Sequence, residues 1–332
     1  MITARIIPMS EEYRDKLIEY MHKKYPTFID AYIQFDVDEA IGTKESGTKS
    51  IIVINDNNEI VGCHLSFITK AWIKGEEKTI VWGHNTFLDE EYRKTIGLDF
   101  MLEIHSIKDG FGYSLSDINA KIQKKFKSTV FISGLRLYSL FKISLFWSIA
   151  CKPFGKVLKI PTQLPQNILV KNDTFYLCKN ARDIHIPNNG YWNKDICEVD
   201  FIRDEFFLNR RFFNNPVNKY YVYTNQERNC YFVVRPILQN GFLSVQMVDC
   251  RYMPHQQEIA YNIFTAIERI CMTIHAGKIF VTTSDKLFKS ILENKKLCKS
   301  WPIAFVCGKC NVSSKDSYII VNAADSDGEY HA

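Results

Sequence analysis

Three β-forming runs, each closed by a turn and the last leading straight into a helix, constrain this chain more than any other feature. Residues 50–55 (SIIVIN) and 60–69 (IVGCHLSFIT) flank Asp56-Asn57-Asn58. Turn chemistry between two apolar runs predicts a hairpin. A third run, 79–88 (TIVWGHNTFL), follows the turn at Lys74-Gly75-Glu76-Glu77. Acidic Asp89, Glu90 and Glu91 then approach a helix whose apolar stripe is Ile96, Phe100, Met101 and Ile104. Ahead of the meander, 2–7 reads as a short strand. Ser10 is expected to cap an amphipathic helix with Leu17, Ile18 and Met21 on one face. Behind it, a helix over 116–127, a strand over 129–133 and a further helix complete the order β-α-β-β-β-α-α-β-α-β.

The same pattern partly returns. Residues 204–213 read as helix, 220–224 and 230–236 as a hairpin, 242–249 as a third strand and 256–275 as a long helix. A strand at 278–282, a helix at 285–294 and strands near 302–307 and 317–322 follow. The repeat is one of pattern, not of residues. Between the copies, 152–195 holds Pro153, Pro161, Pro165, Pro187 and Asn188-Asn189-Gly190, which reads as connector. A length of 332 residues agrees with two domains. The expected division is 1–155, a connector at 156–200, and 201–332. Each domain is expected to be an α/β (α+β) unit with a mixed, mostly antiparallel twisted sheet flanked by helices.

Several function classes drop out. A hydrophobic fraction of 46% with 14% aromatics is ample for packed cores and excludes disorder. The cysteines are scattered through apolar runs, and the N-terminus does not read as a signal peptide, so a cytoplasmic protein with reduced thiols is expected. The apolar stretch 137–151 is interrupted by Lys142 and is too short to span a bilayer. The net charge of +5, without a large basic stripe interleaved with aromatics, does not suggest nucleic-acid binding. Cys307-Gly308-Lys309-Cys310 is a lone CxxC with no second ligand pair, so no metal site is expected. The run Lys121-Ile122-Gln123-Lys124-Lys125-Phe126-Lys127 is a solvated helix face or a phosphate contact. No phosphate-binding P-loop, dinucleotide fingerprint or nucleophile elbow is present.

Residues 86–98, Thr86-Phe87-Leu88-Asp89-Glu90-Glu91-Tyr92-Arg93-Lys94-Thr95-Ile96-Gly97-Leu98, resemble the acyl-CoA-binding motif of the GNAT acetyltransferase superfamily. The physical need is plain: a helix N-terminus offers unpaired N–H donors to a pyrophosphate. The resemblance implies that Phe87 and Leu88 pair with pantetheine through their backbones. It also implies that Arg93, Lys94, Thr95, Ile96, Gly97 and Leu98 form the pyrophosphate loop. The chain departs from the family's Gln/Arg-x-x-Gly-x-Gly/Ala pattern. Ile96 and Leu98 stand where small residues belong, and Gly97 is one place out of register.

Further roles follow from the resemblance. Acyl transfer from a thioester needs a base, donors for the tetrahedral oxyanion and an acid for the sulfur. Tyr138, expected on a helix after the 129–133 strand, is the candidate acid; a core aromatic is the alternative. His84 is the candidate base, since strand alternation puts it on one face with Thr86 and Leu88. Asn85 is the register-shifted alternative, as an orienting group. Asp38 and Glu39 fall in what reads as a loop over the acceptor. The second half resembles the C-terminal part of tandem GNAT-like proteins of bacterial surface-polysaccharide clusters, on Arg203–Phe212, Asn215-Pro216, Tyr220–Tyr223, Val248–Arg251 and Ala324–Glu329. Asp249 and Arg251, with Asp325 and Asp327, are then candidates to hold sugar hydroxyls or an amine. The expected activity is N-acyl transfer from acetyl-CoA or another acyl-CoA to a small amine by direct attack, without a covalent enzyme intermediate, with a nucleotide- or lipid-linked amino sugar as one acceptor. An inactive GNAT-like binding protein and an aminoacyl or peptidyl transferase are the other readings.

Overall fold

A computed structural model describes residues 3–42, 49–112, 130–140, 159–171, 173–239, 242–253, 256–294, 298–307 and 319–325, with 130–140, 239, 242 and 298–307 as backbone alone. The chain divides into two compact units. One comprises Met1–Ala71, Glu77–Phe131 and Phe305–Lys315; the other comprises Trp72–Glu76, Ile132–Ala304 and Asp316–Ala332. The expected helix at 116–127, its basic run, Gly308–Cys310 and Asp327 lie outside the described residues.

The first unit opens with β1 (Ala4–Pro8), α1 (Arg14–Lys24) and α2 (Asp30–Ile41). The hairpin strands β2 (Ile51–Asn55) and β3 (Ile60–Ile73) follow, then β4 (Glu76–Leu88), α3 (Gly97–Ser106) and β5 (Gly110–Gly112). The meander is as the sequence predicts, with β3 and β4 longer than expected. β1 pairs antiparallel with β2 and β2 with β3, with a register shift between Val53 and Ile54. β4 lies beside β3 and pairs parallel with β5. Ile51, Val53, Val61, Tyr92 and Phe100 form a core, with Leu88, Ile96 and Ile104 against it, so the predicted stripe of α3 does face the sheet.

Two local expectations fail here. Ser10 stands before a 3-10 turn, Glu11–Tyr13, and its side chain makes no capping bond. The segment expected as a loop around Asp38 and Glu39 is helical. Tyr32, Ile33, Asp36, Val37 and Ala40 are its buried residues, a helical spacing that the acidic residues between them mask.

The second unit takes most of β6 (Val130–Leu140), then β7 (Asn167–Val170), β8 (Asp173–Leu177), β9 (Val199–Phe201) and α4 (Glu205–Leu208). It continues through β10 (Tyr221–Thr224), β11 (Cys230–Gln239), β12 (Phe242–Tyr252), α5 (Gln257–Thr273), β13 (Lys278–Thr283) and α6 (Lys286–Glu293). β14 spans Cys298–Cys307, and its last residues belong to the first unit, where Val306 and Cys307 pair with Gly112 and Phe111 of β5. The region expected as connector supplies β7, β8 and β9, and β8 pairs with both β7 and β10. A strand occupies Val130–Leu140 where a helix was expected from 134 onward, and β6 pairs antiparallel with β13. The residues VFISGLRLY alternate, and a ladder to β13 outweighs their short-range helical spacing.

In this unit, β12 and β13 are parallel and joined through α5. Residues of β11 alternate between two cores: Cys230, Phe232 and Val234 pack toward Ile263, Phe264, Ile267 and Ile270 of α5, and Tyr231 and Val233 toward Trp192, Leu208 and Phe212. Each such fully buried aliphatic or aromatic side chain contributes roughly 1.5–3 kcal/mol. Gly190 has φ +99°, and a Cβ there would stand 2.7 Å from the amide nitrogen of Asp204. Only glycine fits that approach.

Candidate functional site

The site is built around the second half of β4. Among the described residues β4 pairs with β5 only from Val81 to Gly83, opposite Gly110 to Gly112. Beyond Gly83 the β5-side edge of residues 84–88 has no partner among the described residues. Asn85, inside the strand, has φ +43°. A residue with positive φ in a strand breaks the two-residue alternation, as a bulge does.

The side chains follow the break. His84 Nε2 donates to Asp36 Oδ1 at 2.7 Å, and the next residue, Asn85, donates from Nδ2 to Asp36 Oδ2 at 2.7 Å. Two neighbouring strand residues thus share one carboxylate on α2. Tyr25 OH donates to Asn85 Oδ1 at 2.7 Å, and Cys63 Sγ donates to the Asn85 carbonyl at 3.5 Å. Asn85 is therefore pinned on both ends of its amide, which suits a residue type tolerant of left-handed backbone. Thr86 instead meets His64 Nδ1 at 2.8 Å. His64 also covers Gly83, since a Cβ there would fall 2.5 Å from its Cε1. Gly83 and Thr86 thus share one face of the sheet, and His84 and Asn85 the other. The alternation expected to join His84 with Thr86 is overturned by the bulge.

Burial sharpens the chemistry. His84 and Asp36 side chains are 3% and 6% exposed. A carboxylate accepts, so His84 carries a ring hydrogen on Nε2. Burial, with nearby His84, pushes the His64 pKa down to about 3, so His64 is neutral at physiological pH.

β4 ends at the loop that opens α3. The Asp89 N–H donates to the Val61 carbonyl at 2.9 Å, and its carboxylate accepts from Tyr20 OH at 2.9 Å and from Lys24. Arg93 Nε donates to the Leu88 carbonyl at 3.0 Å, folding back on the strand end. Tyr92 is buried, and Ile96 packs toward the core rather than into the loop mouth. Leu98 is 71% exposed, so neither apolar residue closes the helix entrance. Lys94 and Thr95 are exposed beside it. The first N–H groups of a helix have no intrahelical acceptor. The loop therefore offers donors and a cation to an anion. A Cβ on Gly97 would meet nothing nearer than Leu88 Cδ2 at 3.7 Å.

The other candidates lie elsewhere. Tyr138 falls on β6 opposite Phe280, and its side chain is outside the described residues. Asp249 and Arg251 are 0% and 1% exposed in a buried network. Arg203 donates to Asp249 Oδ2 and to Asp325 Oδ1, each at 2.6 Å. Arg251 Nη1, Tyr231 OH and Asn322 Nδ2 also donate to Asp249, at 2.8–2.9 Å. Burial opposes the charge of Asp249, but Arg203 and Arg251 outweigh it and hold the carboxyl below its usual range. Sequence reasoning missed Asp36, Tyr25 and His64. Asp36 had a signal: it lies four residues after Tyr32 and four before Ala40, on the buried stripe of α2.

No family model matches the sequence, and no curated protein does. Solved structures do match. A GCN5-related N-acetyltransferase from Kribbella flavida aligns with a TM-score of 0.57 at 11% identity, over 92% of this chain and 71% of that one. A probable N-acyltransferase from Enterococcus faecalis V583 gives 0.56 at 11% identity, over 93% and 73%. An N-myristoyltransferase from Saccharomyces cerevisiae with bound myristoyl-CoA gives 0.54 at 9% identity, over 92% and 82%. The fold is GNAT-like. Identities this low speak for the fold alone.

Proposed function

We propose that the protein is an N-acyltransferase that moves an acyl group from an acyl-CoA to an amine. One observation carries this reading. A strand whose last residues have no β5-side partner among the described residues runs into a helix N-terminus, and at its bulge it carries a histidine held by a buried aspartate. The acyl-CoA arm would add to the edge of residues 84–88 like a further strand, and the pyrophosphate would take the amides at the start of α3 with Lys94 beside them. Arg93 would leave the Leu88 carbonyl for the phosphates.

In this scheme His84 takes the amine proton, directly or through a water, as nitrogen attacks the thioester carbon. The C–N bond forms, the C–S bond breaks, the thiolate takes up a proton, and the histidinium returns its own to solvent. Asp36 keeps the ring oriented and stabilises the imidazolium. The chain's likeness to structures of N-acyltransferases, one of them with bound myristoyl-CoA, supports the reaction class. An amino sugar carried on a nucleotide is the acceptor we would try first.

Calorimetry with acetyl-CoA, followed by thiol release in the presence of nucleotide amino sugars, tests the proposal. Saturable heat and acceptor-dependent thiol release are expected. The absence of heat with every acyl-CoA tried, and with free CoA, overturns it.

A further inference from the structure

Two neighbours on one strand should not reach the same carboxylate, because successive side chains leave a strand on opposite faces. Yet His84 Nε2 donates to Asp36 Oδ1 and Asn85 Nδ2 donates to Asp36 Oδ2, each at 2.7 Å. The left-handed backbone of Asn85, φ +43°, makes this possible by turning its side chain to the His84 face. Few side chains accept that conformation, and asparagine is among them. The kink is held from three directions. The Asp36 carboxylate takes the amide NH2. Tyr25, at the end of α1, donates its hydroxyl to Asn85 Oδ1 at 2.7 Å, and Cys63 of β3 donates to the main-chain carbonyl. A carboxylate accepts, so it faces the NH2 and leaves the amide oxygen to the tyrosine hydroxyl.

The two bonds on Asp36 have different consequences. The bond with His84 orients the ring. The bond from Asn85 stops the carboxylate from rotating, so Oδ1 stays on the ring nitrogen, and it draws part of the negative charge away from the imidazole. Asp36, His84 and Asn85 are all buried, where such bonds are stronger than in water. Among the described residues the titratable groups about this pair are His64 and Cys63 on β3, with Tyr25 behind the amide. Lys24 and Asp89, paired with each other, act on Cys63 from further out. Burial keeps the His64 ring neutral and pushes the Cys63 thiol up, so neither titrates alongside His84 near neutral pH.

We propose that Asn85 is the positioning residue of this site: its kinked backbone brings His84 and Asp36 together, and its amide, braced by Tyr25, fixes the carboxylate against the ring. Asn85 itself touches no reacting atom. The inference rests on the acyltransferase reading above for what His84 does, and adds to it the residue that aims the base.

Two readouts on the full chain test it. One is the imidazole titration of His84 by NMR, its resonance identified by its loss in His84→Ala. The other is turnover with acetyl-CoA. Asn85→Gly keeps the left-handed backbone without strain and removes the amide. The carboxylate then gives its full charge to the imidazolium. His84 should hold its proton to a pH higher by about half a unit or more, and kcat should fall about tenfold at unchanged KM for acetyl-CoA. Asn85→Ala loses the amide and also strains the backbone, so it should lose more turnover and melt lower than Asn85→Gly. Tyr25→Phe keeps the ring that stacks on Phe28 at 4.3 Å and removes the brace alone. It should move the titration the same way by less, and it covers the case in which the Asn85 variants fail to fold. A wild-type midpoint in both Asn85→Gly and Tyr25→Phe overturns the inference, and so does wild-type kcat in both. A shifted midpoint in a chain that transfers no acyl group to any amine tried keeps the positioning role and overturns the acyltransferase reading.

Discussion

The two units each bury an acid–base cluster, and the clusters differ in what surrounds them. In the second unit Arg203, Arg251, Asp249 and Asp325 sit within a sheet whose strands are paired on both sides of β12, and Asp249 accepts from four neighbours. In the first unit Asp36 accepts from His84 and Asn85, beside a part of β4 that has no β5 partner among the described residues. The first arrangement surrounds one buried carboxylate with four donors. The second holds its carboxylate with two donors beside a bulged strand. Burial of charge alone therefore does not mark a site.

The largest effect should come from removing Asp249. Asp249→Ala leaves two buried guanidinium groups short of a counter-charge and should cost about 3–5 kcal/mol, read by urea unfolding. A loss under 1 kcal/mol would mean the cluster is not closed. In the other cluster, His84→Ala should lower turnover about 10²- to 10⁴-fold. Its acetyl-CoA affinity should stay close to wild type in the folded variant. A parallel loss of stability with full residual turnover would make that pair structural too and erase the contrast.

A smaller effect tests the closed cluster by pH. Asp200 is fully buried, and burial raises its pKa to about 6 from an ordinary 3.8, with Arg251 opposing. Between pH 4 and 6 the folded chain holds this proton while the unfolded chain releases it. Stability from Asp200 therefore falls as pH rises through that window, by about 2–3 kcal/mol in all. Asp200→Asn should match wild type near pH 4 and exceed it by that amount near pH 7 in urea titrations. The smallest effect belongs to Gly97→Ala. The methyl has room in the fold, so stability should shift by no more than about 0.5 kcal/mol. Acetyl-CoA affinity should fall severalfold, because the methyl stands where the diphosphate must approach.

Much of this architecture was legible in the residues. The meander and the stripe of α3 followed from turns and periodicity, and so did α5, whose apolar residues recur at helical spacing. Residues 130–140 misled because an alternating apolar run does not say whether a partner strand awaits it. α2 was hidden because Asp36, Asp38 and Glu39 look like loop, although only Asp36 among them is buried. His84 could be chosen from its place before the motif. Its aspartate could not, since forty-eight residues separate them in sequence and a helix not foreseen brings them together. The face on which Thr86 lies was unreadable for a simpler reason: one backbone angle at Asn85 reverses it.

That single angle has a consequence for how the protein behaves in solution. A bare strand edge is a template on which another chain can zip, and natural sheets guard such edges with kinks and charge. At Asn85 the donors and acceptors of β4 fall out of step with any straight strand, so a second copy would find only a few residues to grip before the match ends.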